Sequence, residues 1–542
     1  MRTRGGGATA LRRARRAPLL LLLPAVAVAA AACLPLVYLA IRTADGGGKA
    51  WQLVDPGVTA RLLLDTVLLV GGVVGASLVV AVPLAWLVVR SNLPARRLVT
   101  VAAALPLVIP SYVAALALLG ALSPRGLVQQ ILEGPFGVDE LPGISGYSGA
   151  LIALTLSTYP YVFLLAVSAL RALDPALEEA ARSLGDTTWK VFLRVTLPAL
   201  RPSLLAGSLL VSLYVISDFG AVSLMEYPTL TRSIFLYYET LFDRTAAAAL
   251  SLVLVAMTVV VLLLEAHFRG RARYFRSTPG TARAARQHDL GRWRWPAFAL
   301  GLTPVGLFLL LPLAVLAYWA VQPYDAAFGA ATGTVWKSAF NSFSSAALAA
   351  VVAVIAVLPV SFLARRHRSR GTRLLERASY GSNALPGIVV ALALVFFAAR
   401  YLPFVYQTLS LLVFAYVIRF IPQALAAVGS ALETVNPRVE EAARALGRGP
   451  VTVLFTVTIR LARPGLLAGA ALVFLSAMKE LPATLILRPI GFETLATEIW
   501  KQTSLGAYSL AAPPALLLIA VATPLVYLLA ARPAWSGGGG AG

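Results

Sequence analysis

The sequence predicts an all-α polytopic membrane protein of about twelve transmembrane helices, arranged as two parallel six-helix repeats. Three observations carry that reading: a composition too apolar for water, a series of apolar runs long enough to cross a bilayer, and an internal duplication. Of the 542 residues, 59% are hydrophobic and 13% charged, and the mean hydropathy is +0.80. A soluble globular chain is about 45–50% apolar and about 25% charged. This chain has too little polar surface to cover a water-soluble particle, which excludes a soluble enzyme, a secreted disulfide scaffold and a disordered protein. The single cysteine, Cys33, excludes disulfides within the chain and cysteine-based metal clusters. The three histidines, His267, His288 and His367, sit among arginines, where solvated surface histidine fits better than a metal site.

A span needs about 20 mostly apolar residues to cross a hydrocarbon core of about 30 Å. Such runs occur at 17–41, 63–89, 98–122, 148–170, 204–225, 245–266, 297–321, 339–364, 379–401, 406–430, 465–487 and 508–531. Two of them, 98–122 and 379–401, contain internal prolines at Pro106, Pro110 and Pro386. Membrane helices tolerate proline where neighbours satisfy the freed carbonyls, so both are expected to be single spans.

Charge fixes the expected orientation. The 46 Lys and Arg exceed the 24 Asp and Glu, a net +22. With the N-terminus in the cytoplasm, roughly 34 of these basic residues fall in inner segments and about 10 in outer loops, the bias the positive-inside rule demands. Arg419 and Lys479 remain inside apolar spans. The excess therefore needs no nucleic acid to explain it, and both termini are expected on the cytoplasmic side of a bacterial inner membrane. The first run follows Arg12, Arg13, Arg15 and Arg16, and Ala30-Ala31-Ala32-Cys33 faintly resembles a lipoprotein cleavage site. Its length, about 25 apolar residues, favours an uncleaved span over a signal core.

The chain repeats itself. Residues 174–185, DPALEEAARSLG, match 436–447, NPRVEEAARALG. Without a gap, Val195-Thr196-Leu197-Pro198 meets Val457-Thr458-Ile459-Arg460, Arg201-Pro202 meets Arg463-Pro464, and Leu204–Gly207 meets Leu466–Gly469. Upstream, in a shifted register, Pro83 and Pro110 meet Pro359 and Pro386. The expected organisation is a basic tail (1–16), a first six-helix half (17–266), a basic linker (267–296), a second half (297–531) and a glycine-rich end (532–542). An even number of spans per half makes the copies parallel, about an axis along the membrane normal.

Each repeated segment lies in an expected cytoplasmic loop. Asp174 and Asn436 suit helix N-caps, and Pro175 and Pro437 suit the first helical position. Glu178, Glu179, Glu440 and Glu441 follow in the first turns, where carboxylates favour the helix N-terminus. Gly185 and Gly447 are placed to end the helix in a left-handed turn. A second helical run, 189–197 and 451–459, leads into the next span. Alanines leave the first helix flat, so a partner protein can approach closely. Two such loops on one side of the membrane point to docking of a symmetric partner rather than to packing alone.

The spacing Glu-Ala-Ala, three residues, Gly, nine residues, an aliphatic, one residue, Leu-Pro resembles the "EAA" loop of ABC importer permeases. Glu179, Ala180, Ala181, Gly185, Val195, Leu197 and Pro198 match it fully; Glu441, Ala442, Ala443, Gly447 and Val457 match in the second copy, where Ile459-Arg460 replaces Leu-Pro. The resemblance implies a type I importer fold in which each loop inserts a coupling helix into one of two copies of an ATP-hydrolysing subunit. Over nearly the whole chain the sequence also resembles fused two-half permeases of ferric-iron importers, through Ser217–Ser223 and through Met478–Thr484 with Leu487-Arg488-Pro489 and Thr494–Thr497. That resemblance implies ferric iron delivered by an extracytoplasmic binding protein. Permeases for thiamine, phosphonate, polyamine and sulfate share the architecture, and an ion-coupled secondary transporter is a more distant alternative.

No Gly-x-x-x-x-Gly-Lys-Ser/Thr stretch is present; Gly46-Gly47-Gly48-Lys49 is followed by Ala50 in an expected outer loop. The chain is thus expected to be no enzyme and to carry no cofactor, with ATP and Mg on the partner subunit. Charges inside spans each cost roughly 2.5–3.5 kcal/mol on insertion scales, which singles out Asp218, Arg419, Lys479 and Glu480. Asp218 and Glu480 occupy equivalent positions in the two halves. They line a path, pair internally, or sit at a watery mouth; the sequence leaves these three open.

Overall fold

The first repeat begins with α1 (Leu19–Asp45) and α2 (Pro56–Arg90). It continues through α3 (Arg96–Ala104), α4 (Ser111–Leu122), α5 (Leu127–Phe136) and α6 (Gly146–Ala172). Then come α7 (Pro175–Ser183), α8 (Thr188–Val191), α9 (Leu197–Ser217), α10 (Gly220–Leu224), α11 (Leu230–Glu239) and α12 (Arg244–Phe268). The second repeat opens with α13 (Arg294–Val305) and α14 (Leu311–Val321), separated by a π turn. It continues with α15 (Phe328–Arg366), α16 (Arg370–Tyr380), α17 (Gly387–Tyr401) and α18 (Leu409–Thr434). It ends with α19 (Pro437–Ala445), α20 (Pro450–Val453), α21 (Ile459–Met478), α22 (Pro482–Leu487), α23 (Leu495–Ser504) and α24 (Tyr508–Ala531). Element for element, α2, α3, α4, α6 and α7 to α12 recur as α15, α16, α17, α18 and α19 to α24.

This computed structural model describes residues 19–45, 55–124, 126–137, 142–268, 287–322, 328–367 and 369–531. The basic tail, the Gly46–Lys49 run, most of the linker and the glycine-rich end lie outside the described residues. Among the described residues, eleven helices are long and apolar enough to cross a membrane, or twelve if one bent pair counts as a single span. No strand is present among them; one isolated parallel bridge joins Ser91 and His288.

The two proline-bearing spans are broken rather than continuous. In 98–122, α3 ends in a 3-10 turn (Leu105–Val108), Ile109 is extended at φ −81, ψ 118, and α4 starts after Pro110. A residue before proline is pushed out of the helical region, and proline offers no N–H to the turn before it. In 379–401 the same device operates at Pro386, and the flanking helices 370–384 and 387–401 bend by 104°. The spans expected at 204–225 and 465–487 are also shifted. They end at Ser217 and Met478 and begin upstream, at Thr188 and Val451, running unbroken through π turns at Phe192–Thr196 and Leu454–Thr458.

The chain forms two compact units. The larger comprises 35–346, 384–416 and 475–542. Its core lies around α6, whose Leu154, Tyr159, Phe163, Val167 and Leu170 are fully enclosed against α2 and α9. The Tyr159 hydroxyl is not wasted there: it donates to the Ala103 carbonyl at 2.9 Å. The opposite face of α2 leaves Leu64, Val67, Leu68 and Val79 exposed, the side a lipid-facing span presents. The smaller unit comprises 1–34, 347–383 and 417–474, with Val357, Phe362, Ile421, Leu425 and Leu432 buried. The larger unit holds elements of both repeats, so these units do not follow the repeat boundary.

Candidate functional site: the two capped loops and the intramembrane charges

In both loops the sequence pattern folds as its chemistry directs. Asp174 Oδ1 accepts from the Ala176 N–H, and Asn436 Oδ1 from the Arg438 N–H, each at 3.0 Å. The far ends close identically: Gly185 N donates to the Arg182 carbonyl and Asp186 N to Ala181, while Gly447 N donates to Arg444 and Arg448 N to Ala443. Both glycines lie at positive φ, +92° and +84°, with open space where a β-carbon would be. The requirement for glycine is therefore backbone conformation alone. Leu184 and Leu446, the residues just before these glycines, are 87% and 84% exposed. Leu197-Pro198 and Ile459-Arg460 follow equivalent π turns, so the departure from Leu-Pro leaves the local backbone unchanged.

The two glutamates of each loop divide their labour. Glu179 and Glu441 are exposed, as are Ala180 and Ala442; Ala181 and Ala443 are half-buried. Glu178 and Glu440 point inward and are buried. Glu178 Oε1 accepts from Arg90 Nε at 3.2 Å and from the Thr196 hydroxyl at 2.9 Å, and Oε2 from Arg182 at 3.4 Å. Glu440 Oε1 accepts from Arg366 Nη2 and the Thr458 hydroxyl, each at 3.0 Å; Arg444 reaches Oε2 at 3.5 Å. Arg90 also donates to the Leu173 carbonyl, and Arg366 to those of Leu432 and Val435. One carboxylate thus fastens three things: the loop helix, the C-terminal end of α2 or α15, and the last residue of the π turn. Arg90 and Arg366 were not among the sequence candidates. The signal was present, since each lies seven residues after the matched prolines Pro83 and Pro359.

Three of the four charges expected inside spans lie just past the ends of the membrane-crossing helices, which close at Ser217 and Met478; the four split between the units. Asp218, Lys479 and Glu480 belong to the larger one; Arg419, half-buried midway along α18, belongs to the smaller. Asp218 acts as a cap. Its Oδ1 accepts from the N–H groups of Ala221 and Val222 at 3.0 and 3.4 Å, its Oδ2 from the Ser111 hydroxyl, and its carbonyl from Thr231 at 2.6 Å. One residue thereby joins α4, α10 and α11. Lys479 Nζ donates to the Leu107 carbonyl at 2.6 Å, in the 3-10 turn before Pro110, which has no N–H to offer. Glu480 Oε1 occupies the space where a β-carbon on Gly387 would lie. Gly387 is the repeat equivalent of Ser111. The longer acid is accommodated by the smaller residue, and the shorter acid is met by serine's hydroxyl. Next to this cluster, Phe219 is enclosed between Phe235 and Trp500, with ring centroids 4.6 and 5.0 Å away. Among the described residues no group of three or more His, Cys, Asp or Glu stands close enough to hold a metal ion.

Breaking a buried ion pair by removing one partner costs about 3–5 kcal/mol, because the other charge is left uncompensated. Arg90→Met should therefore lower the melting temperature in detergent sharply, while the double variant Arg90→Met with Glu178→Met recovers most of it. An unchanged melting temperature in the single variant would refute the tie. For the second acid pair, Gly387→Ser should destabilise by collision with Glu480, and adding Glu480→Asp should restore stability by recreating the Ser111–Asp218 arrangement; the same thermal measurement reads it.

The chain matches the sequence profile of "Binding-protein-dependent transport system inner membrane component" over residues 56–274 and 358–532. It is 32% identical over 520 residues to the Fe(3+)-transport system permease protein FbpB 2 of Haemophilus influenzae, covering 95% of this chain and 98% of that one. It is 22% identical over 444 residues to the ferric transport system permease protein FbpB of Actinobacillus pleuropneumoniae, 78% of this chain and 64% of that protein. A shorter match, 29% over 187 residues, covers 33% of this chain and 80% of the molybdenum transport system permease protein ModB of Escherichia coli. With two copies of the profile in its two repeats and a near full-length relative, the chain belongs to the binding-protein-dependent transport system inner membrane components, a family of transport permeases.

Proposed function

We propose that this permease forms the translocation path of an ATP-driven importer for ferric iron, delivered by an extracytoplasmic binding protein. The observation that carries the ATP-driven reading is the pair of glycine-closed helices, each presenting Leu184 or Leu446 outward while tied inward by a buried glutamate. Two copies of an ATPase subunit dock on Glu179–Gly185 and Glu441–Gly447. Their closure displaces α7 and α19, and the ties pass that displacement to the membrane-crossing helices of the halves 17–266 and 297–531. Hydrolysis, with its ATP and Mg, belongs to the partner. Iron is favoured by the near full-length similarity to a ferric permease; molybdenum is the second reading, from the match over a third of the chain. Asp218 and Glu480 act in this reading as fixed posts of the path's walls rather than as iron ligands. Asp218 has both oxygens engaged by the chain's own groups.

Replacing Gly185 and Gly447 together by valine strains both turns. Co-purification of the ATPase subunit should fall at least several-fold, with the membrane-inserted amount unchanged. Retention of full ATPase binding overturns the docking reading. Uptake of radioactive iron by cells carrying the intact system, set against molybdate in parallel, decides the cargo.

The loops, the linker and both termini face the cytoplasm in this reading. In a Cys33→Ala background, an impermeant thiol reagent should label Ser145→Cys in intact cells and spare Ser183→Cys until the membrane is opened. The reverse pattern inverts the topology.

A further inference from the structure

The described end of the linker is fastened to the first loop's anchor. His288 N donates to the Arg90 carbonyl at 2.7 Å, and Asn92 N donates back to the His288 carbonyl at 3.1 Å, forming the parallel bridge beside Ser91. The side chains lock it further. Asn92 Nδ2 donates to Asp289 Oδ1 at 2.7 Å, and Asn92 Oδ1 accepts from the Leu290 N–H at 3.0 Å. Asp289 Oδ1 also accepts from the Gly291 N–H at 3.0 Å. These contacts, the Gly291 N–H first and then Asn92, hold the Asp289 carboxyl below the usual carboxylate range. Arg90 is thus held at both ends: its guanidinium grips Glu178 of α7, and its carbonyl is held by the linker.

A second route joins the same parts. The His288 ring lies 6.0 Å from that of Trp86, Trp86 lies 6.5 Å from Phe192 in the π turn, and Phe192 stacks on Trp189 of α8 at 5.6 Å. Beyond Leu290 the chain runs directly into α13, which packs on α2 and α3. The first span of the second repeat is therefore tied to the anchor of the first repeat's loop.

We propose that residues 288–290 are a strap on the first coupling joint, with Asn92 and Asp289 as positioning residues. They fix Arg90, and through it α7, so that displacement of α7 is handed to α13 as well as to α2. The strap rests on the reading of α7 as a coupling helix, but its grip on α7 is measurable without any ATPase.

The test uses the full chain in detergent micelles and follows amide hydrogen exchange in α7, with α19 of the same molecule as the internal reference. Asn92→Asp places two carboxylates against each other and should open the strap. Exchange in α7 should rise about tenfold, the scale set by losing one hydrogen bond of ordinary net strength, with α19 unchanged. Adding Asp289→Asn exchanges the two roles, recreates the amide-to-carboxylate bond and should return α7 to its original rate. In the assembled transporter, ATP consumed per solute moved should rise several-fold in Asn92→Asp and return in the double variant. The proposal is overturned if α7 exchange does not change, if α7 and α19 loosen together, or if the double variant stays as loose as the single one. A failure of ATPase docking would leave the exchange result intact, so the two readings fail separately.

Discussion

The architecture depends on a carboxylate buried one residue before the exposed glutamate of each loop. Glu178 and Glu440 sit where an unpaired charge could not persist, and each is surrounded by two guanidinium groups and a threonine hydroxyl. A salt bridge of this kind contributes little net stability compared with a well-packed apolar contact. What it supplies is geometry: several directional bonds converge on one point from three elements. A short nine-residue helix such as α7 or α19 could not hold its orientation by propensity. The tie lets it behave as part of the membrane-crossing helices while its outer face stays free.

The same logic recurs where helices break. Prolines interrupt two spans, and each interruption releases backbone groups that lipid cannot satisfy. The chain meets the demand with side chains from other elements. Lys479 takes the Leu107 carbonyl ahead of Pro110; where α9 gives way to α10, with no proline at the break, Asp218 takes the N–H groups of Ala221 and Val222. Asp218, Lys479 and Glu480, which looked anomalous in an apolar sequence, are thus placed where the backbone is irregular, while Arg419 lies within the regular α18.

Much of this was legible in the residues. The caps at Asp174 and Asn436, the left-handed glycines and the number of spans follow from local rules, because the causes lie within a few positions of the effects. The breaks at Pro110 and Pro386 were visible as prolines but read as tolerated kinks. Whether a proline bends or severs a helix depends on what waits to receive the freed carbonyl, and Lys479 lies far away in sequence. Arg90 and Glu178 are 88 residues apart, so no spacing pattern joins them. Only the recurrence of an arginine after Pro83 and Pro359 hinted at the pair. The role of His288–Leu290 was hidden for another reason: two of its bonds join main chain to main chain and leave no signature in residue type, and its side-chain bond joins Asn92 to Asp289 across 197 positions.

The exchange between Ser111 with Asp218 and Gly387 with Glu480 has an evolutionary consequence. A permease built from two identical subunits receives every substitution twice, so a longer acid and its compensating glycine would have to suit both sides at once. In a fused chain each change falls on one repeat only. A methylene can be moved from one helix to its neighbour while the other copy keeps its original fit. Carrying both repeats on one chain thereby makes the two copies of one contact independently adjustable.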